Sequence, residues 1–308
     1  MKFVLIGDAH LRDTAPSRRV DDFVLEQEKK LRTAFDIGLE NEAPIIMTGD
    51  IFDSHDAALG TLVKYLPIFQ SYPHGVYSPP GNHDLYGASL ETVKRSALGV
   101  AVASNAITLL SHEPVMLDDF ALFGHSYMHE GKPTPIDGAR NILVTHEMVL
   151  MDKLWKEQED FIFADEYIRK ESNWELIVCG HYHYSFIKER GSRKIVNPGA
   201  LVRIKASKGD MALKPGVLIY NTEMKKISRV NFDVKPSSEV FKPQIKKEKP
   251  SEVLAEFAGD LAKQNIGEST ETPRFDAVLL DVVEKSGCSA EAKDLLLNYS
   301  AEMEGDDG

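Results

Sequence analysis

Lys2-Phe3-Val4-Leu5-Ile6-Gly7-Asp8-Ala9-His10 is a short apolar run that stops abruptly on two polar side chains. An unbroken apolar stretch of this length reads as a strand buried on both faces, the kind found in parallel sheets covered by helices. The pattern recurs. Ala43 to Thr48 ends at Gly49-Asp50, Gly75 to Ser78 runs into Pro79-Pro80-Gly81-Asn82, Asn141 to Thr145 ends in His146, and Trp174 to Cys179 ends in Gly180-His181. Between the first three strands, Val20 to Leu39 carries Phe23, Leu31, Ala34, Phe35 and Gly38 at helical spacing, and Ala57 to Ser71 reads as a second helix. This alternation of strand and helix predicts an α/β core with parallel strands.

The rest of the first 233 residues is largely β. Ile107 to Tyr127 reads as short strands separated by turns, and Phe186-Ile187-Lys188, Lys194-Ile195-Val196, Val217 to Tyr220 and Ile227 to Phe232 read as four more. The fold class expected is α/β, a two-sheet β-sandwich flanked by helices, with a small C-terminal helical region. Residues 1–233 form the expected catalytic domain. Residues 234–250, with three prolines and five lysines from Lys235 onward, read as a linker. Residues 251–308 carry helical stripes, Val253, Leu254, Phe257 and Leu261 and then Phe275, Val278, Leu279 and Val282, and form a helical region suited to binding a partner.

The chain has 308 residues, 43% of them hydrophobic, with 36 Lys and Arg against 48 Asp and Glu. The net charge of −12 excludes a generic polyanion binder, so any attraction to nucleic acid has to be local. Cys179 and Cys288 form no CxxC pair and read as reduced thiols. The N-terminus reaches a charge too soon for a signal peptide, and no apolar run is long enough to span a membrane; a cytoplasmic, membrane-free protein is expected.

The chemistry sits in five signatures, each at a strand end: Asp8-Ala9-His10, Gly49-Asp50, Gly81-Asn82-His83-Asp84, Thr145-His146-Glu147 and Gly180-His181-Tyr182-His183. Strand ends on one sheet edge converge, which would gather Asp, Asn and His donors at one place. Two divalent ions about 3.5–4 Å apart clamp a phosphate together with its attacking and leaving oxygens and make water more acidic. Asp50 suits the shared ligand. Asp8, His10 and His183 are expected around one ion, and Asn82, His146 and His181 around the other. Such donors suit Mn²⁺, Fe or Zn²⁺ better than Ca²⁺. His83 is left to protonate the leaving oxygen, with Asp84 holding its ring in one tautomer. His55 can line the site, and Asp53 can brace the loop. His74, His112, His125 and His129 fit no signature.

In this order, the five signatures resemble the calcineurin-like metallophosphoesterase superfamily over about residues 1–233. Gly49-Asp50-Ile51-Phe52-Asp53, the loop holding Arg12, Arg18 and Arg19, and Asn197-Pro198-Gly199-Ala200-Leu201-Val202-Arg203 are similar to the SbcD-type DNA-repair nucleases, including phage counterparts. That resemblance implies a metal-dependent DNA exonuclease and endonuclease using Mn²⁺, in a bacterial cell or a phage-infected host. It also implies a homodimer within a heterotetramer, with an SbcC-type coiled-coil ATPase as partner. Arg12, Arg18, Arg19 and Arg203, with Lys188, Arg190, Arg193, Lys194, Lys205 and Lys208, are candidates for a basic DNA-contacting rim. The region after residue 234 is shorter and more helical than the usual capping domain. Two rivals remain: a phosphoesterase for cyclic nucleotides or phosphorylated metabolites, and a non-enzymatic scaffold, which the complete set of donors disfavours.

Overall fold

The computed structural model describes residues 1–242, apart from 128 and 172; the expected helical region 251–308 and most of the linker lie outside the described residues. The first half alternates as the sequence predicts. Strand β1 (Lys2–Ile6), helix α1 (Phe23–Glu40), β2 (Ile45–Met47), α2 (Leu59–Gln70), β3 (Val76–Ser78), α3 (Ala97–Ala103) and β4 (Thr108–Leu109) follow in order. Strands β1 to β4 pair in parallel as neighbours. Helix α1 starts at Phe23 rather than Val20, because the Asp22 side chain accepts from the Leu25 N–H and caps it.

The second half supplies β5 (Val115–Leu117), β6 (Phe120–His125), β7 (Arg140–Thr145), β8 (Val149–Leu150), β9 (Ile162–Phe163), α4 (Ala164–Lys170) and β10 (Leu176–Cys179). It continues with β11 (Phe186–Arg190), β12 (Arg193–Asn197), α5 (Lys208–Ala212), β13 (Gly216–Asn221), β14 (Lys226–Asn231) and α6 (Ser237–Val240). One six-stranded sheet has the order β14-β13-β1-β2-β3-β4, the other β11-β12-β10-β7-β6-β5. In the second sheet β6, β7, β10 and β12 are parallel.

Strand alternation explains the layering. Phe3 and Leu5 of β1, with Leu218 of β13 beside it, face the second sheet and join Leu122, Ile142, Val144, Leu176 and Val178 in the inter-sheet core. Val4 and Ile6 of the same strand face the other way, onto Phe23, Leu31 and Phe35 of α1. On the far side Leu143, Ile177 and Ile195 pack against Tyr167 and Ile168 of α4. The result is helix, sheet, sheet, helix, the sandwich expected from sequence. Helices α3 and α4 and the 3₁₀ turns between Tyr86 and Arg95 were not read from sequence, because each is too short to show periodicity.

The stretch read as the start of a linker packs on the domain as far as it is described. Val240 and Phe241 are buried. Lys242 N–H donates to Arg18 O (2.9 Å), and Val20 N–H donates to Val240 O (3.1 Å). Two short, polar-looking segments thus satisfy each other's backbone, which no local pattern announces.

At the edge of the sheets opposite the parallel strand ends, Arg140 ties the layers together. It donates to Glu175 (2.8 and 2.5 Å) and to the Thr222 carbonyl (2.9 Å), and it lies 4.2 Å over the Phe120 ring. Tyr220 donates to the same Glu175 carboxylate. Burial alone would raise the Glu175 pKa, but the Arg140 and Tyr220 hydrogen bonds outweigh it and hold it below its ordinary 4.5. A carboxylate with a depressed folded-state pKa stabilises the fold above the unfolded value and loses that contribution as pH falls through the folded one. We therefore expect Glu175→Gln to lower stability by about 1 kcal/mol at neutral pH. The gap to wild type should narrow toward about pH 4; urea midpoints measured across that range check it, and a gap that widens on acidification would refute it.

Candidate metal centre

All five signatures lie just beyond the C-terminal ends of parallel strands, and the structure brings their side chains together. Asp8, His10 and His183 present donor atoms within 4.8 Å of one another, and so do Asp50, His146 and His181. His10 Nε2 is 3.1 Å from His183 Nε2, and His183 Nε2 is 3.6 Å from Asp8 Oδ2. In the second group the Asn82 Oδ1 lies 2.9 Å from His181 Nδ1 and 3.2 Å from His146 Nε2. Asp50 Oδ2 stands between the groups, 3.2 Å from His146 Nε2 and 3.7 Å from His10 Nε2. The tight turn after β10 sends His181 to one group and His183 to the other.

These residues fit a pair of divalent cations. Asp8 and Asp50 are 1% and 2% exposed, and no Lys or Arg forms an ion pair with either among the described residues. Asp8 Oδ2 and His10 Nδ1 are buried without a hydrogen-bond partner. Burial raises the Asp8 carboxyl above its ordinary pKa. For His146, burial opposes protonation, but the Asp50 and Asp8 carboxylates outweigh it and push the ring up to about 10. Asp50 is correspondingly held low, since His146 and His10 overcome its own desolvation. Burial lowers His10 to about 3 and His181 to about 4, so both rings are neutral and free to offer a lone pair at neutral pH.

The local backbone is shaped for this convergence. His10, Asp50 and His181 adopt positive φ angles of 45°, 48° and 65°, conformations that cost on the order of 1–3 kcal/mol each and collect at functional sites. Two glycines allow the loops to meet. A Cβ on Gly49 would lie 2.7 Å from Gly81 N and 2.8 Å from His146 Nδ1. One on Gly180 would lie 2.7 Å from Thr48 O and 2.8 Å from both Asp8 Oδ1 and His146 Nδ1.

Several residues that sequence reasoning did not single out hold the donors. Gln27, fully buried on α1, donates to the carbonyls of Ala9 (3.2 Å) and His10 (2.9 Å) and accepts from Arg12 N–H (3.0 Å) and Tyr65 Oη (3.2 Å). A polar residue within an apolar helical stripe was the available signal. Thr48 donates to Asp8 Oδ1 (2.8 Å), and its carbonyl accepts from His146 Nδ1 (2.7 Å). Asn197 donates to the Tyr182 carbonyl (2.7 Å) and accepts from Gly199 N–H (2.7 Å), fixing the turn that carries His181 and His183. Tyr127 stacks on His181 at 4.6 Å.

Around the rim the outcome is mixed. His83 is exposed, its N–H donates to Asp50 Oδ1 (2.8 Å), and its ring meets His10 edge-on at 4.7 Å. Asp84 does not touch that ring: it is fully buried and accepts from the N–H groups of Gly81 (2.9 Å), Ile51 (3.3 Å) and Phe52 (3.2 Å). The expected tautomer partner and catalytic role for Asp84 is therefore corrected to a clamp on two loops. Burial and the nearby Asp50 raise its pKa to about 7. The ring Nδ1 of His83 instead lies 2.7 Å from the Asp53 carbonyl. Asp53 also places a carboxylate oxygen 3.6 Å from His10 Nδ1 and another 2.9 Å from Arg12, as the bracing role expected. His55 lies beside this loop, edge-on to Tyr86 at 5.2 Å.

Of Arg12, Arg18, Arg19 and Arg203, Arg12 is tied to this rim through Asp53 (2.9 Å). Arg19 is 7% exposed and paired bidentately with Asp21 (2.7 Å for both bonds), with Phe23 and Phe241 against its guanidinium. Arg203 is 6% exposed and donates to Ser237 Oγ (2.9 Å) and Lys235 O (2.6 Å); Arg18 donates to Lys242 O (3.3 Å). These three anchor the segment 235–242, so Arg19 and Arg203 are corrected from DNA contacts to structural anchors. Lys188 and Lys194 are engaged by Asp165 (3.0 Å) and Glu189 (2.8 Å).

A sequence model of the calcineurin-like phosphoesterases matches residues 1–198, and the chain belongs to that family. The two mixed sheets flanked by helices are the metallophosphoesterase sandwich. No curated protein matches the sequence. Among solved structures, an archaeal phosphodiesterase is similar at 16% identity and TM-score 0.42, over 75% of this chain and 100% of that one. A Thermus thermophilus protein is similar at 12% identity and TM-score 0.49, over 75% and 98%. A candidate 5′-nucleotidase of Staphylococcus aureus is similar at 11% identity and TM-score 0.44, over 84% of this chain and 58% of that one. Among the described residues no helix is long and apolar enough to cross a membrane.

Gln27 gives a direct check on the site's architecture. Gln27→Ala removes the three hydrogen bonds that its side chain makes to the backbone of the Ala9–Arg12 turn, and Mn²⁺ affinity measured by calorimetry should fall about ten- to a hundred-fold. Unchanged affinity would show that the turn holds its shape without the glutamine.

Proposed function

We propose that this calcineurin-like phosphoesterase is the nuclease subunit of a DNA-processing assembly, cutting phosphodiester bonds as an exonuclease and endonuclease in repair, recombination or replication. The observation that carries the reading is the pairing of a largely buried donor cluster, its two groups joined through Asp50, with one exposed histidine at its edge. Asp8, His10 and His183 would hold one divalent cation, and Asn82, His146 and His181 the other, with Asp50 shared; Mn²⁺ suits the mixed oxygen and nitrogen donors. When bound, the two cations would neutralise the phosphate charge and acidify a water.

The chain's own contribution at the leaving group is His83. A carbonyl can only accept, so the Asp53 oxygen requires the proton on His83 Nδ1. The remaining nitrogen, Nε2, then carries a proton only in the imidazolium form and gives it to the departing oxygen. Asp53 thus fixes the tautomer, while its carboxylate ties Arg12 to the same rim. The Gly49–Asp53 motif supports the nuclease reading, and Asp84 in place of a Glu after Gly81-Asn82-His83 counts against a protein phosphatase of the same superfamily. The expected partner, an SbcC-type coiled-coil ATPase joined to a homodimer of this chain in a heterotetramer, belongs to the same proposal.

A second reading, a phosphoesterase for cyclic nucleotides or phosphorylated metabolites, gains support from the burial of Arg19 and Arg203, which removes cations from the rim of an already acidic protein. Linear and nicked DNA supplied with Mn²⁺ separates the two. Nucleotide release supports the nuclease, and turnover of bis(p-nitrophenyl) phosphate alone supports the rival. On whichever substrate is turned over, His83→Ala should lower kcat by about 10²- to 10⁴-fold while two Mn²⁺ per chain still bind. A fall in metal stoichiometry would instead make His83 a ligand.

A further inference from the structure

The surface opens into a hollow of about 430 Å³, bordered by His55, Asp56, Tyr86, Thr92, Arg95 and Ser96. That volume lies in the range of about 300–1,000 Å³ typical of small-ligand sites. Its frame is fixed. The His55 carbonyl accepts from Ala97 N–H (2.6 Å), Thr92 Oγ1 accepts from Tyr86 N–H (3.0 Å) and donates to Ser89 O (2.6 Å), and Ser96 caps α3 through Gly99 N–H (3.2 Å).

Two features distinguish the hollow from ordinary surface. Tyr86 is 63% exposed, a large aromatic face left to solvent, held edge-on by His55 at 5.2 Å. The Arg95 guanidinium lies 6.0 Å from the centre of that ring and forms no ion pair among the described residues. The one carboxylate present, Asp56, is occupied by the Ser54 hydroxyl and lies 3.6 Å from His55 Nδ1. An exposed aromatic face beside an unneutralised guanidinium suits a flat, π-rich group that carries an anion.

Two of the residues bordering the hollow are close along the chain to His83 and to Asp53, whose carbonyl meets the His83 ring. Tyr86 follows His83 by three residues, and His55 follows Asp53 by two. Chain length alone keeps their Cα atoms within about 11 Å and about 8 Å of those positions, a reach of one or two nucleotides.

We propose that this hollow receives the nucleotide next to the scissile phosphate on the His83 side, its base stacked on Tyr86 and its phosphate paired with Arg95. The inference rests on the phosphodiesterase reading of the metal centre and adds a substrate class to it. Apolar metabolites are disfavoured by the polar wall, and a further cation by the lone carboxylate.

The experiment compares a single-stranded oligonucleotide with bis(p-nitrophenyl) phosphate, which has a single phosphate and no nucleobase, in the intact 308-residue chain with Mn²⁺. Tyr86→Ala and Arg95→Ala should each lower kcat/KM for the oligonucleotide about ten-fold relative to the small ester, mainly through KM. Tyr86→Trp should restore the ratio, and Arg95→Ala should flatten the salt dependence of oligonucleotide binding. An unchanged ratio, or equal losses on both substrates, overturns the proposal. If wild type hydrolyses the small ester but not the oligonucleotide, the nuclease reading fails on its own. Fluorescence anisotropy then decides the hollow: oligonucleotide affinity must drop in the double variant Tyr86→Ala, Arg95→Ala, and absent or equal binding refutes it.

Discussion

Two carboxylates, Asp8 and Asp50, are buried at the meeting point of the two sheets, with no arginine or lysine among the described residues to balance them. Removing an ion from water without compensation costs several kcal/mol or more, so a fold that keeps two such groups dry has to be supplied with positive charge. Within the chain itself part of it falls on His146, whose pKa is pushed up to about 10 by those same carboxylates against the effect of burial. His10 and His181, desolvated and without a strong enough acidic neighbour, stay neutral. The cluster is thus a cation receptor whose sign is set by burial.

Around this cluster the polar support is dense at the buried donors and sparse at the exposed edge. Gln27, Thr48, Asp84 and Asn197 are each buried and each direct their hydrogen bonds to turns that carry a donor residue. His83 and Tyr86, by contrast, are exposed. A rigid interior beside an accessible edge is what the proton transfer proposed for His83 would require, because such a donor must be fixed in place yet reachable by the leaving group.

The strand ends and their polar tails were legible because the signal is local: a buried run, a glycine, then a donor. Asp8, His10, Asp50, Asn82, His146, His181 and His183 are all found together where that grammar places them. What stayed illegible depends on contacts between distant segments. Asp84 follows His83 in sequence, yet its carboxylate turns inward to three N–H groups, two of them more than thirty residues away. Arg19 and Arg203 looked like a rim only because nothing in their neighbourhoods reveals that residues 235–242 cover them. His125, which fits no signature, is buried with His112 Nε2 3.1 Å from its Nδ1 and Glu147 3.7 Å from its Nε2, a pairing of three strand-end segments that no spacing rule encodes.

The two halves of each signature do different work. In Asp8-Ala9-His10-Leu11 the polar residues reach the site, while Ala9 and Leu11 are wholly buried in the core under α1. In Asp50-Ile51-Phe52 the carboxylate is followed by two residues wholly buried in that same core, and Leu11 and Phe52 form a parallel bridge that aligns the loops. The apolar members act as pegs. A slip of one residue would drive His10 into the hydrophobic layer and lift Leu11 into the site, an exchange that costs both a buried polar group and an exposed apolar one. Loop register is therefore enforced by the hydrophobic core, and the strain at His10, Asp50 and His181 persists because that core can carry it. The interior that makes the sandwich stable is also what lets three strained residues hold a charge-dense site in one geometry.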